Sequence, residues 1–215
     1  MLIAAMLFLV SAAVLGILWG ISKGNISNNA EQTLVEEVAA NDEATLRELL
    51  ATEKELIINI SEDLEVEEGF IVNGTKTLEG DATLCMSLGA ELGQALLMLS
   101  EDSSITLDGP ILDCNYNSDG IHVAANATLL NMSSVIKRAG AYGILNYGEI
   151  TIQDIDIMEC EYISICGQSG SEIYMKGGSI QESATNHVYL VAGSHMNISG
   201  NTVMDQSEAH GMINY

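Results

Sequence analysis

Residues 143–157 read GILNYGEITIQDIDI, and at residues 211–215 the chain nearly repeats that opening as GMINY. From Glu149 to Ile157 the longer stretch alternates polar and apolar residues, the pattern of a strand with one face to a core and one to water. A near-repeat over so long a distance asks for a shorter period between the copies, and one is present. Leu107, Leu130, Ile152, Met175 and Ile198 recur at spacings of 23, 22, 23 and 23, and Leu112, Val135, Ile157, Ile180 and Val203 keep the same four. A third set, Ile121, Ile144, Ile165, Tyr189 and Met212, runs at 23, 21, 24 and 23. Three apolar columns in step through five units indicate a solenoid.

Two solenoids have units of this length, leucine-rich repeats and parallel β-helices. No unit carries the L-x-x-L-x-L spacing of the first. Each carries short alternating runs instead, such as SEIYMKGGSI at 171–180. The expected fold is therefore all-β: a right-handed parallel β-helix with coils of about 22–23 residues, two or three strands per coil and about 4.8 Å between coils. Gly120, Gly143 and Gly211 share a register where the chain is expected to bend. Asn146 and Asn214 share another, which predicts a discontinuous asparagine ladder.

Residues 41–51, NDEATLRELLA, predict an amphipathic helix with Asn41 as N-cap, Asp42 and Glu43 favouring the helix dipole, and Leu46, Leu49 and Leu50 as its apolar stripe. It is expected to cover the N-terminal end of the core. Residues 2–21, LIAAMLFLVSAAVLGILWGI, carry no charge and are long enough to span a bilayer core of about 30 Å. They read as a signal peptide or a transmembrane anchor, which places the remainder outside the cytosol, at the cell surface or secreted. The resulting division is 1–22 signal or anchor, 23–30 linker, 31–55 N-terminal capping helical region, and 56–215 β-helix. The last coil stops at Tyr215 partway through its repeat, and natural solenoids cover their final coil. The β-helix is accordingly read as incomplete at its C-terminus.

Composition narrows the partners. With 47% hydrophobic and 17% charged residues the chain has the makings of a packed core. Its 7 Lys and Arg against 30 Asp and Glu give a net charge of -23, and Lys137-Arg138 is the one adjacent basic pair. Nucleic acid is thereby excluded as a partner, since phosphate binding needs clustered cations. Acidic polymers would be repelled unless a divalent cation bridged them. Cys85, Cys114, Cys160 and Cys166 form no C-x-x-C pair; three disulfide pairings are open, and free thiols used as small apolar fillers are the favoured reading.

The coils from about Ile57 to Tyr215, with the phrase AYGILNYGEITI at 141–152, resemble the right-handed parallel β-helix of the pectate-lyase-like superfamily and the repeats of bacterial surface β-helix proteins. That resemblance implies an architecture shared by polysaccharide lyases, glycoside hydrolases and non-catalytic adhesins, so chemistry has to be sought residue by residue. NSDG at 117–120 resembles the first segment of the polygalacturonase-like motif, but GAYG follows one coil later without an Asp, EAHG at 208–211 lacks the first Gly, and no R-I-K appears. Asp119 alone is left as a catalytic candidate of that kind. The lyase pattern would use Arg138 or Lys137 as base, with Glu159 and Glu161 on the next coil. It would also use Ca²⁺, the one cofactor the resemblance leaves open. A salt bridge among those residues is the plainer reading.

Ligand-binding candidates are the turn residues Tyr116, Tyr142 and Tyr162, as an aromatic platform for sugar rings, and His187 and His210, which the period puts in one register. Two histidines make no complete metal site, and no metal is assigned. Six sequons, at Asn25, Asn59, Asn73, Asn126, Asn131 and Asn197, are glycan acceptors in a eukaryotic secretory setting. Two functions remain. One is a non-catalytic, adhesin-like β-helix presenting a surface to a polysaccharide or a protein. The alternative is a polysaccharide lyase or glycoside hydrolase whose catalytic coils lie beyond Tyr215.

Overall fold

A computed structural model of the chain describes residues 35–88 and 94–214. The expected signal or anchor segment and linker lie outside these residues, as does the sequon at Asn25. Among the described residues no helix is long and apolar enough to cross a membrane.

The chain winds as a parallel β-solenoid with three strands per coil. Ser104–Asp108, Ile111–Asp113 and Asp119–Val123 make one such coil, and each strand pairs in parallel with its counterpart in the coils before and after. The result is three sheets, one of eight strands and two of seven. Alternation decides what lies inside. In Ser104–Asp108, Ile105 and Leu107 are buried while Ser104, Thr106 and Asp108 face outward. The inward residues of all three sheets meet in one continuous apolar core from Leu56 to Leu190.

Register corrects the columns read from spacing. In the first sheet Leu107 pairs with Asn131, which pairs with Ile152, then Met175 and Ile198. Leu130 sits one residue out of step, level with Thr106 and Thr151 on the outer face. In the second sheet the column is Leu112, Ile136, Ile157, Ile180 and Met204, with Val135 and Val203 outside it. In the third, Val188 replaces Tyr189 between Ile165 and Met212. In the second and third sheets each slip occurs where two apolar residues stand side by side, so spacing could not say which one points in, and in the first the slot is held by a polar residue, Asn131.

Asn131 occupies an inward position at 0% exposure, and its Oδ1 accepts the Ser134 N–H at 3.2 Å. This hydrogen bond lets a polar residue hold a core slot by fastening the following turn. Asn146 works in the same way, accepting the Gly148 N–H at 3.0 Å and donating to the Glu172 carbonyl at 3.2 Å. It does share a column with Asn214, but Gly167 and Leu190 stand between them. The two amides are therefore separate, and Asn146 serves as a turn fastener. Of the glycines read as bends, Gly120 and Gly143 have another cause, while nothing crowds Gly211. A Cβ on Gly120 would lie 2.3 Å from the Gly143 carbonyl oxygen, and one on Gly143 would lie 2.6 Å from that of Ser164. Close approach of the next coil is what demands glycine there.

A strand at Glu36–Ala39 opens the first sheet, so the region expected to be helical begins with an added β-strand. The helix follows at Glu43–Ala51 and packs against strands Phe70–Val72 and Leu64–Val66 of the first complete coil. Its N-cap is Asp42, not Asn41: the Asp42 carboxylate accepts the Thr45 N–H at 2.7 Å. Leu46 and Leu50 are buried in the end of the core. Two cations fasten this cap. Arg47 donates to the carbonyls of Gly69 and Glu68 at 2.8 and 2.7 Å and lies 4.9 Å from the Phe70 ring centre. Lys76 points inward at 1% exposure, with its ammonium bonded to the carbonyls of Thr52, Lys54 and Asn73 at 2.8, 2.6 and 2.5 Å. A cation at the helix C-terminus complements the dipole, and here it also satisfies the carbonyl of the C-cap Thr52. The four cysteines are free thiols; Cys114, Cys160 and Cys166 are buried.

Between the second and third sheets the chain turns through a single residue of left-handed conformation. Arg138, Glu159, Glu182 and Gln206 have φ of 56°, 56°, 55° and 62°, each directly after a second-sheet strand. Such φ values cost an L-residue roughly 1–2 kcal/mol, least for Asn and Gly.

Two stability measurements test these assignments. Ile152→Ala removes a fully buried column residue and should cost roughly 2–5 kcal/mol in denaturant melts, against under about 1 kcal/mol for outward-facing Thr151→Ala. Equal losses would mean the register is inverted. Glu182→Asn should raise stability by roughly 0.5–1 kcal/mol, because Asn tolerates the left-handed turn that Glu must be forced into. A loss would show that the Glu side chain supports that turn.

Candidate functional site

The turn between second and third sheets is where the solenoid departs from its own repeat. It spans four residues in four successive coils, 138–141, 159–162, 182–185 and 206–209, but five in the coil before them, 114–118. The extra residue is absorbed by two consecutive left-handed residues, Asn115 and Tyr116, at φ 50° and 61°. Tyr116 is thereby pushed outward to 39% exposure, and its hydroxyl donates to Glu159 Oε2, two coils away, at 3.2 Å. Burial and the Glu159 carboxylate both raise its pKa above the ordinary tyrosine value.

Below Tyr116 lies an open groove of about 560 Å³ lined by Tyr116, Ser118, Asp119, His122, Tyr142 and Leu145, with Glu161 on its rim. The third-sheet strands Asp119–Val123 and Tyr142–Asn146 supply its base, His122 standing beside Leu145 on their outer face. Asp119 is nearly buried, and both its oxygens are engaged. Oδ2 meets His122 Nε2 at 2.7 Å, while Oδ1 accepts the N–H groups of Tyr142 at 2.8 Å and Ala141 at 3.2 Å. Asp119 thus pins the next coil's turn as well as the imidazole. The Tyr142 ring meets Tyr162 edge-on, with centres 6.0 Å apart. Beside Asp119, Ser118 is 2% exposed and its hydroxyl sits against the buried Cys114 thiol.

The structure thus brings Asp119, Tyr116, Tyr142 and Tyr162 to one place, with Glu159 and Arg138 at its edge. It corrects the pairing of the cations. Arg138 and Lys137 bind Asp113 on the preceding coil, not Glu159 or Glu161. Arg138 holds both Asp113 oxygens, at 2.8 and 2.5 Å, and Lys137 approaches one at 3.3 Å. Burial pushes the Asp113 carboxyl up, but Arg138, the Asn115 N–H and Lys137 outweigh it and hold the group below its ordinary range. Arg138 also lies 5.9 Å from the Tyr116 ring centre, bracing that ring from one side. Spacing missed Asp113, His122 and Leu145.

The histidine pair does not form. His210 pairs with Asn186 and is exposed, whereas His187 lies one residue on and points inward at 1% exposure. Its Nδ1 bonds Ser183 Oγ at 2.7 Å, which bonds Ser164 Oγ at 2.6 Å, while Nε2 has no partner of good geometry. Among the described residues no group of three or more His, Cys, Asp or Glu side chains is placed to hold a metal. Two further grooves lack the paired rings. One of about 420 Å³ lies beside Tyr147, Glu149 and Glu172, and one of about 470 Å³ beside Glu182 and Glu208.

Comparison of the chain with protein-family models, curated proteins and solved structures gives no match.

Burial lowers the His187 pKa, opposed by the backbone and charge of Asp205. A histidine whose folded pKa lies below its unfolded value stabilises the fold above the unfolded pKa, and that contribution is lost as pH falls. Unfolding free energy should therefore decline from about pH 7 to pH 5, and His187→Gln should flatten that slope whatever its effect on stability at neutral pH. An unchanged slope in the variant would place the titrating group elsewhere.

Proposed function

We propose that this solenoid is a non-catalytic binding module that presents its third-sheet groove to a carbohydrate at the cell surface or outside the cell. The observation that carries the reading is the groove itself: two tyrosines and a leucine around a fixed Asp119–His122 pair. A sugar ring has apolar C–H faces and a polar rim, so it suits a site with aromatic walls and a few fixed polar groups. The extended outer faces fit an adhesin-like role, and the charge-free segment at 2–21 supports export or anchoring. Membership of the pectate-lyase-like superfamily, with right-handed coils, is part of the same proposal and rests on three strands per coil and the AYGILNYGEITI phrase.

The occupancy of the charged groups favours binding over turnover. Cleaving a glycosidic bond needs an acid and a base within reach of the substrate oxygen, or a metal with a base. Asp119 is saturated by His122 and two N–H groups, and Arg138 is clamped on Asp113 through Nε and one terminal nitrogen.

Titration calorimetry of the full chain against a panel of neutral, amino and uronic oligosaccharides tests the reading. At least one class should bind, and Tyr116→Ala should weaken it roughly tenfold, the loss of about 1.4 kcal/mol expected for a stacked ring, with its melting transition retained. Release of new reducing ends or unsaturated products, abolished in Asp119→Asn, would replace the binding module with a lyase or hydrolase.

A further inference from the structure

The groove's charges narrow its ligand. Three carboxylates surround it, Asp119 in the floor, Glu161 on the rim and Glu159 behind Tyr116. The neighbouring cations are already engaged, since Lys137 and Arg138 share Asp113. Glu161 is exposed and makes no salt bridge among the described residues. The tyrosine faces add negative electrostatic potential of their own.

These features share one complement. A uronic sugar would bring a carboxylate toward carboxylates. A neutral sugar would satisfy the rings and leave the acidic rim unused. A sugar carrying a free, protonated amine satisfies both, with its C–H face on Tyr116 or Tyr142 and its ammonium toward Glu161, where cation–π attraction and a charge-assisted hydrogen bond act together. We propose that the groove between Tyr116 and Tyr142 is a site for amino-sugar oligomers bearing unacetylated amines, with Glu161 as the residue that selects the amine. This rests on the reading of the groove as carbohydrate-binding and adds the class of carbohydrate. A protein this acidic attracts any polycation, so the local contribution must be separated from the general one.

The test uses the full chain at about physiological salt, where charges beyond about 8 Å are screened. Four probes are compared by calorimetry: a glucosamine trisaccharide, its fully N-acetylated counterpart, a galacturonate trisaccharide and trilysine. The glucosamine trisaccharide should bind at least about tenfold more tightly than the others. Glu161→Gln should remove most of that margin, whereas Glu149→Gln, at the separate groove beside Tyr147, should leave it intact. Equal binding of the N-acetylated sugar would overturn the amine assignment while leaving the carbohydrate reading in place. Failure of every saccharide would remove both. Trilysine binding as tightly as glucosamine, or equal losses from the two Glu→Gln variants, would reduce the effect to general attraction of cations and overturn the site.

Discussion

The strands of this protein find their backbone partners in the coil before and the coil after. That single constraint, parallel pairing between coils at about 4.8 Å, governs everything else in the molecule. It passes the register set by one strand to its neighbours, so inward residues form columns and outward residues form ladders. It makes the turns the free variable: a residue added there leaves the strands on either side in step. The turn at 114–118 shows the consequence. One more residue than in the next four coils, taken up in two left-handed positions, sets Tyr116 above a groove while Asp113 and Asp119 on either side keep their ladder partners.

Coil ends have no neighbour to pair with, and the N-terminal end shows how that is handled. The helix at 43–51 covers the second and third sheets, the strand at 36–39 extends the first, Arg47 ties the helix to carbonyls of the first coil, and Lys76 from the following coil holds the Thr52 carbonyl at the helix C-terminus. Charge is used sparingly but pointedly in a chain with 7 basic residues. Arg47 and Lys76 serve the cap, and Lys137 and Arg138 serve Asp113. Four of the seven are thus committed to internal structure, leaving an outer surface dominated by carboxylates. The same expenditure that stabilises the coils sets the sign of charge a ligand would meet.

The solenoid was legible in the sequence because apolar periodicity is the direct imprint of coil stacking. The three columns, the capping helix and the clustering of Tyr116, Asp119, Tyr142 and Tyr162 all follow from it. What spacing alone did not resolve were choices between adjacent residues. Leu129 or Leu130 and Ile136 or Val135 are nearly equal by hydropathy, Tyr189 beside Val188 has an apolar ring of its own, and only pairing tells which one faces in. The same single step separated His187 from His210. Polar residues in core slots were hidden for another reason: Asn131, Asn146 and Lys76 are admitted by hydrogen bonds to particular turn groups, and no periodicity announces those. The Arg138–Asp113 pair was misassigned because a charged side chain can reach up or down the stack. The 25-residue separation that brings these two together is one coil backward instead of one forward.

The most direct test of the stacked register is a set of distances between spin labels on the outer face of the first sheet. Glu37, Ile57, Thr77, Thr106, Leu130, Thr151, Tyr174 and Asn197 form one ladder there. At about 4.8 Å per step, labels at 37 and 151 should lie about 24 Å apart and labels at 37 and 197 about 34 Å, each with a narrow distribution. Distances that grow by one such step per coil, whatever the number of residues between the labels, are what the stacked solenoid predicts. Broad distributions, or a 37–197 distance no longer than the 37–151 distance, would contradict it.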